Sequence, residues 1–159
     1  MFIATQSTTS EKRSQKLISL LKTVADNERQ THKLYTDFLQ SSHSISDDIT
    51  DLCHTALHED KSHFDEILAC LKRLEATSHS QQAQKLFFTP EYPLTTENLL
   101  QHLRDIEAFS VKAYNEICNI SMEYDYQVFD LSYRNMNENL AHLDFVSNLL
   151  NNLHAGERL

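Results

Sequence analysis

One glycine and two prolines in 159 residues leave few places where this chain can turn sharply. Residues that break helices are therefore scarce, which favours long helices joined by short connections. No apolar run approaches the roughly 20 residues that cross a bilayer, so no membrane-spanning segment is expected. The opening stretch MFIATQSTTSEKR lacks the apolar core of a secretion signal, and a cytoplasmic location is expected. Positive charge is in deficit, with 14 Lys and Arg against 23 Asp and Glu, a net −9. That balance argues against nucleic acid, whose phosphates select basic surfaces, and is compatible with attracting cations. The three cysteines, Cys53, Cys70 and Cys118, have no metal-type spacing and are expected to be reduced, buried and small. The length suits one domain spanning residues 1–159.

What is present is concentrated in HEDKSHFDE, residues 58–66. Positions 53, 56, 60, 63, 67, 70 and 74 alternate steps of three and four, the period of a packed helix seam. Five of them are Cys53, Ala56, Ile67, Cys70 and Leu74, but the middle two are Asp60 and His63. An acid and an imidazole thus stand where a bundle core normally holds Leu or Val. Burying them is costly unless something pairs with them, and a metal cation is one such partner.

The same device recurs 79 residues later in NENLAHLD, with Glu138, Asn139 and His142. Overlaying residues 28–74 on 107–153 without gaps gives 11 identities in 47 positions. Ordinary composition would give about three. Glu28 falls on Glu107, Tyr35 on Tyr114, Glu59 on Glu138 and His63 on His142. The chain reads as two copies of one helical hairpin related by a pseudo-twofold axis.

The helices follow from the same period. The first is expected from a cap at Ser10 to about Gln40, with residues 1–9 disordered and a seam of Leu17, Leu21, Val24, Glu28, Thr31, Tyr35 and Phe38. Ser46 or Asp47 caps the second, which fades at Ala76. Residues 77–95 break the pattern, hold both prolines and form a crossover long enough to traverse a bundle end. Thr95 or Thr96 caps the third, with seam Leu100, Leu103, Glu107, Ser110, Tyr114, Ile117 and Ser121. A turn near Glu123 to Asp125 leads to the fourth, with seam Val128, Ser132, Asn135, Asn139, His142, Val146, Leu149 and Leu153, ending by Gly156. The fold class is all-α, an antiparallel four-helix bundle. Phe87, Phe88 and Tyr92 make the crossover apolar, and a homodimer rather than a cage is expected.

One Glu from each of two helices plus an acid-x-x-His from each of the others is the di-metal pattern of ferritin-like bundles. NERQTHKLY at 27–35, LRDIEAFSVKAYNE at 103–116 and HLDF at 142–145 make the chain resemble the ferritin-like superfamily, and bacterioferritin most closely. The resemblance covers about residues 20–154. It implies Glu28 and Glu107 as terminal ligands, Asp60 and Asn139 at the bridging places, and His63 and His142 as the histidine ligands. It makes Tyr35 and Tyr114 hydrogen-bond partners of the ligands. It further implies two irons per chain, with manganese or zinc as alternatives, and oxidation of Fe(II) by oxygen or peroxide. The family's haem-ligand methionine would follow the helix acid, but Lys61 stands there, so no haem is expected.

Two departures matter. Asp60 is a methylene shorter than the family's Glu, and Asn139 is neutral, which leaves the Glu107 half short of charge. Glu59 and Glu138, each one residue earlier, are candidate substitutes. The competing reading is a degenerate bundle, with one metal position or none, that acts as a structural or protein-interaction module.

Overall fold

The structure is a computed structural model and describes residues 3–41, 45–75 and 95–156. It consists of α1 (Ile3–Ser41), α2 (Asp47–Glu75), α3 (Thr96–Ser121) and α4 (Tyr126–His154). Among the described residues there is no strand. The crossover at 77–94, with Phe87, Phe88 and Tyr92, lies outside the described residues.

Local chemistry sets most helix ends. Ser46 Oγ accepts from the Ile49 amide at 3.4 Å and Thr95 Oγ1 from Asn98 at 3.1 Å. Asp125 Oδ1 accepts from Val128 at 3.2 Å, and each bond satisfies one otherwise orphaned donor at a helix start. Beyond α4, Gly156 takes φ 77°, a conformation open to glycine, and its amide bonds the Leu153 carbonyl at 3.1 Å. The first helix differs from expectation: it begins at Ile3, and Ser10 lies inside it. No Gly or Pro stands between Ile3 and Ser10 to stop it, and a single Ser costs an interior helix position only a fraction of a kcal/mol, roughly 0.5.

The α1–α2 and α3–α4 hairpins pack through α1 against α3, while α2 against α4 is the sparsest of the four helix–helix packings. The seams face inward. Every expected seam position of α1, α2 and α3 is buried, as is that of α4 up to Leu149. Two apolar clusters result. One end of the bundle holds Leu17, Leu21, Ile67, Leu74, Ile117 and Val128. The other holds Phe38, Cys53, Leu100, Leu103, Val146 and Leu149. Fully burying each such side chain contributes about 1.5–3 kcal/mol. Between the clusters lies a polar layer containing Glu28, Thr31, Asp60, His63, Glu107, Ser110, Asn139 and His142, all buried. The three cysteines are free and buried, and burial pushes the Cys53 thiol up to about 12.

Candidate metal centre

Each helix contributes to the polar layer from the middle of its seam. Glu28 on α1 and Asp60 and His63 on α2 place one ligand atom each within 4.8 Å of one another. Asp60, Glu107 on α3 and His142 on α4 form a second such group. Asp60 belongs to both. The resemblance put Asp60 and Asn139 both at bridging places. Asn139 instead directs its amide nitrogen to Glu28 Oε1 at 3.4 Å, and its own Oδ1 is buried without a partner.

The remaining contacts obey the repeat. Tyr114 donates to Glu28 Oε1 at 2.6 Å, and Tyr35 donates to Glu107 Oε1 at 3.2 Å. Each tyrosine therefore serves the glutamate of the other hairpin. His63 Nδ1 lies 3.3 Å from Glu28 Oε2, and His142 Nδ1 lies 3.4 Å from Glu107 Oε1 and 3.7 Å from Asp60 Oδ1. On the outer nitrogens, His63 Nε2 meets Glu138 Oε2 at 2.5 Å and His142 Nε2 meets Glu59 Oε2 at 2.6 Å. Glu59 and Glu138 thus do not stand in for Asp60 or Asn139. They cross the α2–α4 seam to the back of the opposite histidine. A carboxylate there can hold an Nε2–H, so that a ring which gives up its second proton turns its Nδ1 lone pair to the acids, the tautomer a metal needs. The sequence placed both glutamates near the seam. It gave no sign of the crossing, which depends on how α2 and α4 are rotated about their axes.

Two further residues were not singled out as functional. Asn27, buried, donates to Ser110 Oγ at 3.1 Å and ties α1 to α3 beside Glu28. His32 is half-buried one turn beyond Glu28.

The electrostatics describe a site short of positive charge. Burial pushes the Asp60 carboxyl well above the usual range, and Glu107 and Glu28 push it further. Burial also raises Glu107, against the opposing pull of His142. Burial alone would hold His142 neutral, but Glu107, Asp60 and Glu59 outweigh it and lift it to about 10. His63 is raised likewise, Glu28 and Glu138 overcoming burial. Both Asp60 oxygens, Glu107 Oε2 and His142 Nδ1 are buried with no hydrogen bond of good geometry. An orphaned buried acceptor costs about 1–3 kcal/mol, more when charged. A cation between the two triads would satisfy these atoms together.

The sequence profile of a family described as a ferritin-like domain matches residues 46–155. The chain is 27% identical over 150 residues, 89% of its length and 80% of the relative's, to the protein named DNA protection during starvation protein in Pyrococcus furiosus. Among solved structures it is similar to a dodecameric thioferritin, the bacterioferritin-related protein of Bacteroides fragilis. That likeness has a TM-score of 0.73 at 17% identity and covers 89% of this chain and 88% of the other, so it speaks for the fold alone.

Proposed function

This chain belongs to the ferritin-like family, and from that premise we propose that it takes up ferrous iron in the polar layer and oxidises it with oxygen or peroxide. The observation that carries the reading is Asp60, 1% exposed and shared by two ligand triads, with both oxygens lacking a hydrogen bond of good geometry. A carboxylate in that position is suited to bridge two cations. Carboxylates with one imidazole per position suit iron or manganese, and zinc competes through the same atoms. Two ferrous ions supply two electrons, so one hydrogen peroxide with two protons becomes two waters, or one dioxygen with two protons becomes hydrogen peroxide.

The protein's own residues then have distinct tasks. Glu28 with His63 holds one ion, Glu107 with His142 the other, and Asp60 lies between them. Tyr114 and Tyr35 fix the glutamates by donating to one oxygen of each. Glu138 and Glu59 hold the histidines with Nδ1 inward. Asn139 offers a neutral carbonyl oxygen where a second bridging acid would otherwise stand. The buried layer excludes bulk water and keeps the ligands in place as charge changes.

We place the protein in the cytoplasm, acting as one domain in a self-associating form of at least a dimer. No described helix is long and apolar enough to cross a membrane. Anaerobic Fe(II) titration of protein purified without added metal, followed by peroxide, tests the reading. Two ions per chain and rapid oxidation are expected. Protein that binds no Fe(II) stoichiometrically would instead be a polar-cored interaction module.

A further inference from the structure

Between α1 and α2 the surface opens into a recess of about 250 Å³, lined by Glu28, Arg29, His32, Asp60, Lys61 and Phe64. Its exposed wall is largely apolar although five of its six lining residues are polar or charged, and it reaches Asp60, whose buried oxygens lack a hydrogen bond of good geometry. A water occupies about 30 Å³ of liquid, so the recess has room for several small molecules. The rim charges are neutralised locally, Arg29 by Asp26 at 3.1 Å and Lys61 by Asp65 at 2.5 Å. A hydrated divalent ion entering here would have to pass Phe64 between Arg29 and Lys61 before it met the Glu28 and Asp60 carboxylates.

The α2–α4 seam is the opposite case. There Glu59 and Glu138, with side chains 32% and 45% exposed, stand in front of His142 and His63 across the loosely packed α2–α4 pair. Partly exposed carboxylates can exchange water for a cation one ligand at a time.

We propose that the α1–α2 recess is the binding site and route of the small uncharged oxidant, hydrogen peroxide or dioxygen, and that Fe(II) reaches the centre separately through the Glu59–Glu138 seam. The inference rests on the iron reading above and adds to it a substrate class for the recess. An oxidant in the recess meets Asp60, where the two triads join, without displacing a ligand. Iron loading and oxidation are then separable by substitution.

His32→Trp and, independently, Phe64→Trp fill the recess from α1 and from α2. Metal-free crystals pressurised with xenon should hold the gas in the wild-type recess and not in either variant, since dry apolar cavities take up xenon. In stopped flow, protein loaded anaerobically with Fe(II) and mixed with peroxide should react about tenfold more slowly in these variants, with Fe(II) stoichiometry unchanged. Glu59→Gln with Glu138→Gln should slow Fe(II) uptake instead. An unchanged peroxide rate in a folded, iron-loaded variant with a filled recess overturns the oxidant route. Absence of Fe(II) binding by the wild type overturns the iron reading beneath it, and the titration reveals that before any oxidant is added.

Discussion

Asn139 turns its amide nitrogen toward Glu28 Oε1 at 3.4 Å, while Asp60, its counterpart in the other repeat, receives no hydrogen bond of good geometry. Glu28 Oε1 already accepts from Tyr114, so two donors converge on one oxygen and Oε2 alone faces His63. The neutral amide thus spares the metal-free bundle a fourth buried carboxylate and steadies an existing one.

Asn139→Asp keeps the size and reverses the role. It should destabilise the metal-free protein by about 1–3 kcal/mol, because a donor becomes a second unsatisfied acid. It should tighten divalent metal binding, because a cation then meets a bridging charge from each hairpin. Melting curves with and without Mn(II), which loads without being oxidised, read both effects. A variant that loses stability but gains no metal affinity would show that position 139 lies outside the ligand sphere.

Glu138→Gln and Glu59→Gln probe the histidine backing. Each removes the carboxylate that holds an Nε2–H and leaves every proposed ligand in place. Metal affinity should fall about 10–100-fold, as when such outer partners are lost from other metal sites. Isothermal titration with Mn(II) measures this. Equal affinity in both variants would reduce the two contacts to surface ion pairs.

The seams were legible because buried helix positions repeat every three or four residues whatever they pack against. Glu28, Asp60, His63, Glu107, Asn139 and His142 all fall on that period, and all six are buried. Who touches whom across the layer was not legible. Glu59–His142, Glu138–His63 and Asn139–Glu28 depend on interhelical rotation, which no intrahelical spacing encodes. The start of α1 was missed because Ser10 can cap a helix but cannot stop one. Leu153 was counted as seam, but it is only half-buried near the frayed end of α4.

Tyr126, Phe129 and Tyr133 stack along the outside of α4, with ring centroids 6.3 and 5.9 Å apart. Tyr126 is 73% and Tyr133 51% exposed, and Leu140 is exposed further along the same helix. The equivalent α2 positions, Asp47, Thr50 and His54, are polar, so the repeat breaks its symmetry here. Tyr126→Glu with Tyr133→Glu should weaken self-association without altering the melting temperature of the monomer. Light scattering over a dilution series decides it. Unchanged mass would return the interface to the crossover.

The net charge of −9 argues that the chain does not bind nucleic acid, although its Pyrococcus furiosus relative is named for DNA protection. Lys12, Arg13 and Lys16 near the start of α1 line one surface recess, and Lys16 is paired with Glu116. A gel-shift titration with duplex DNA at low salt, where phosphate contacts are strongest, should show no complex. A complex that salt dissolves would locate a basic surface that the overall charge conceals.

The pH dependence follows from His142. Its folded pKa, about 10, lies above the ordinary 6.5, so the metal-free protein is stabilised by the protonated ring. That contribution is fully present below pH 6.5 and is lost as pH rises through about 10. Asp60 is shifted in the same direction, so its share is present below its ordinary value of 3.8 and declines above it. The metal-free melting temperature should therefore fall from pH 6.5 toward 10. A bound cation takes the place of the proton on Nδ1, so loaded protein should lose less. Binding must then expel that proton, and affinity should rise about tenfold per pH unit for each proton displaced. Calorimetry of Mn(II) binding in two buffers of different ionisation enthalpy counts the protons, and His142→Gln should remove one of them. A flat metal-free melting curve between pH 6.5 and 10, with no proton release, would mean that His142 is already neutral and that the three buried acids are held by something other than the ring.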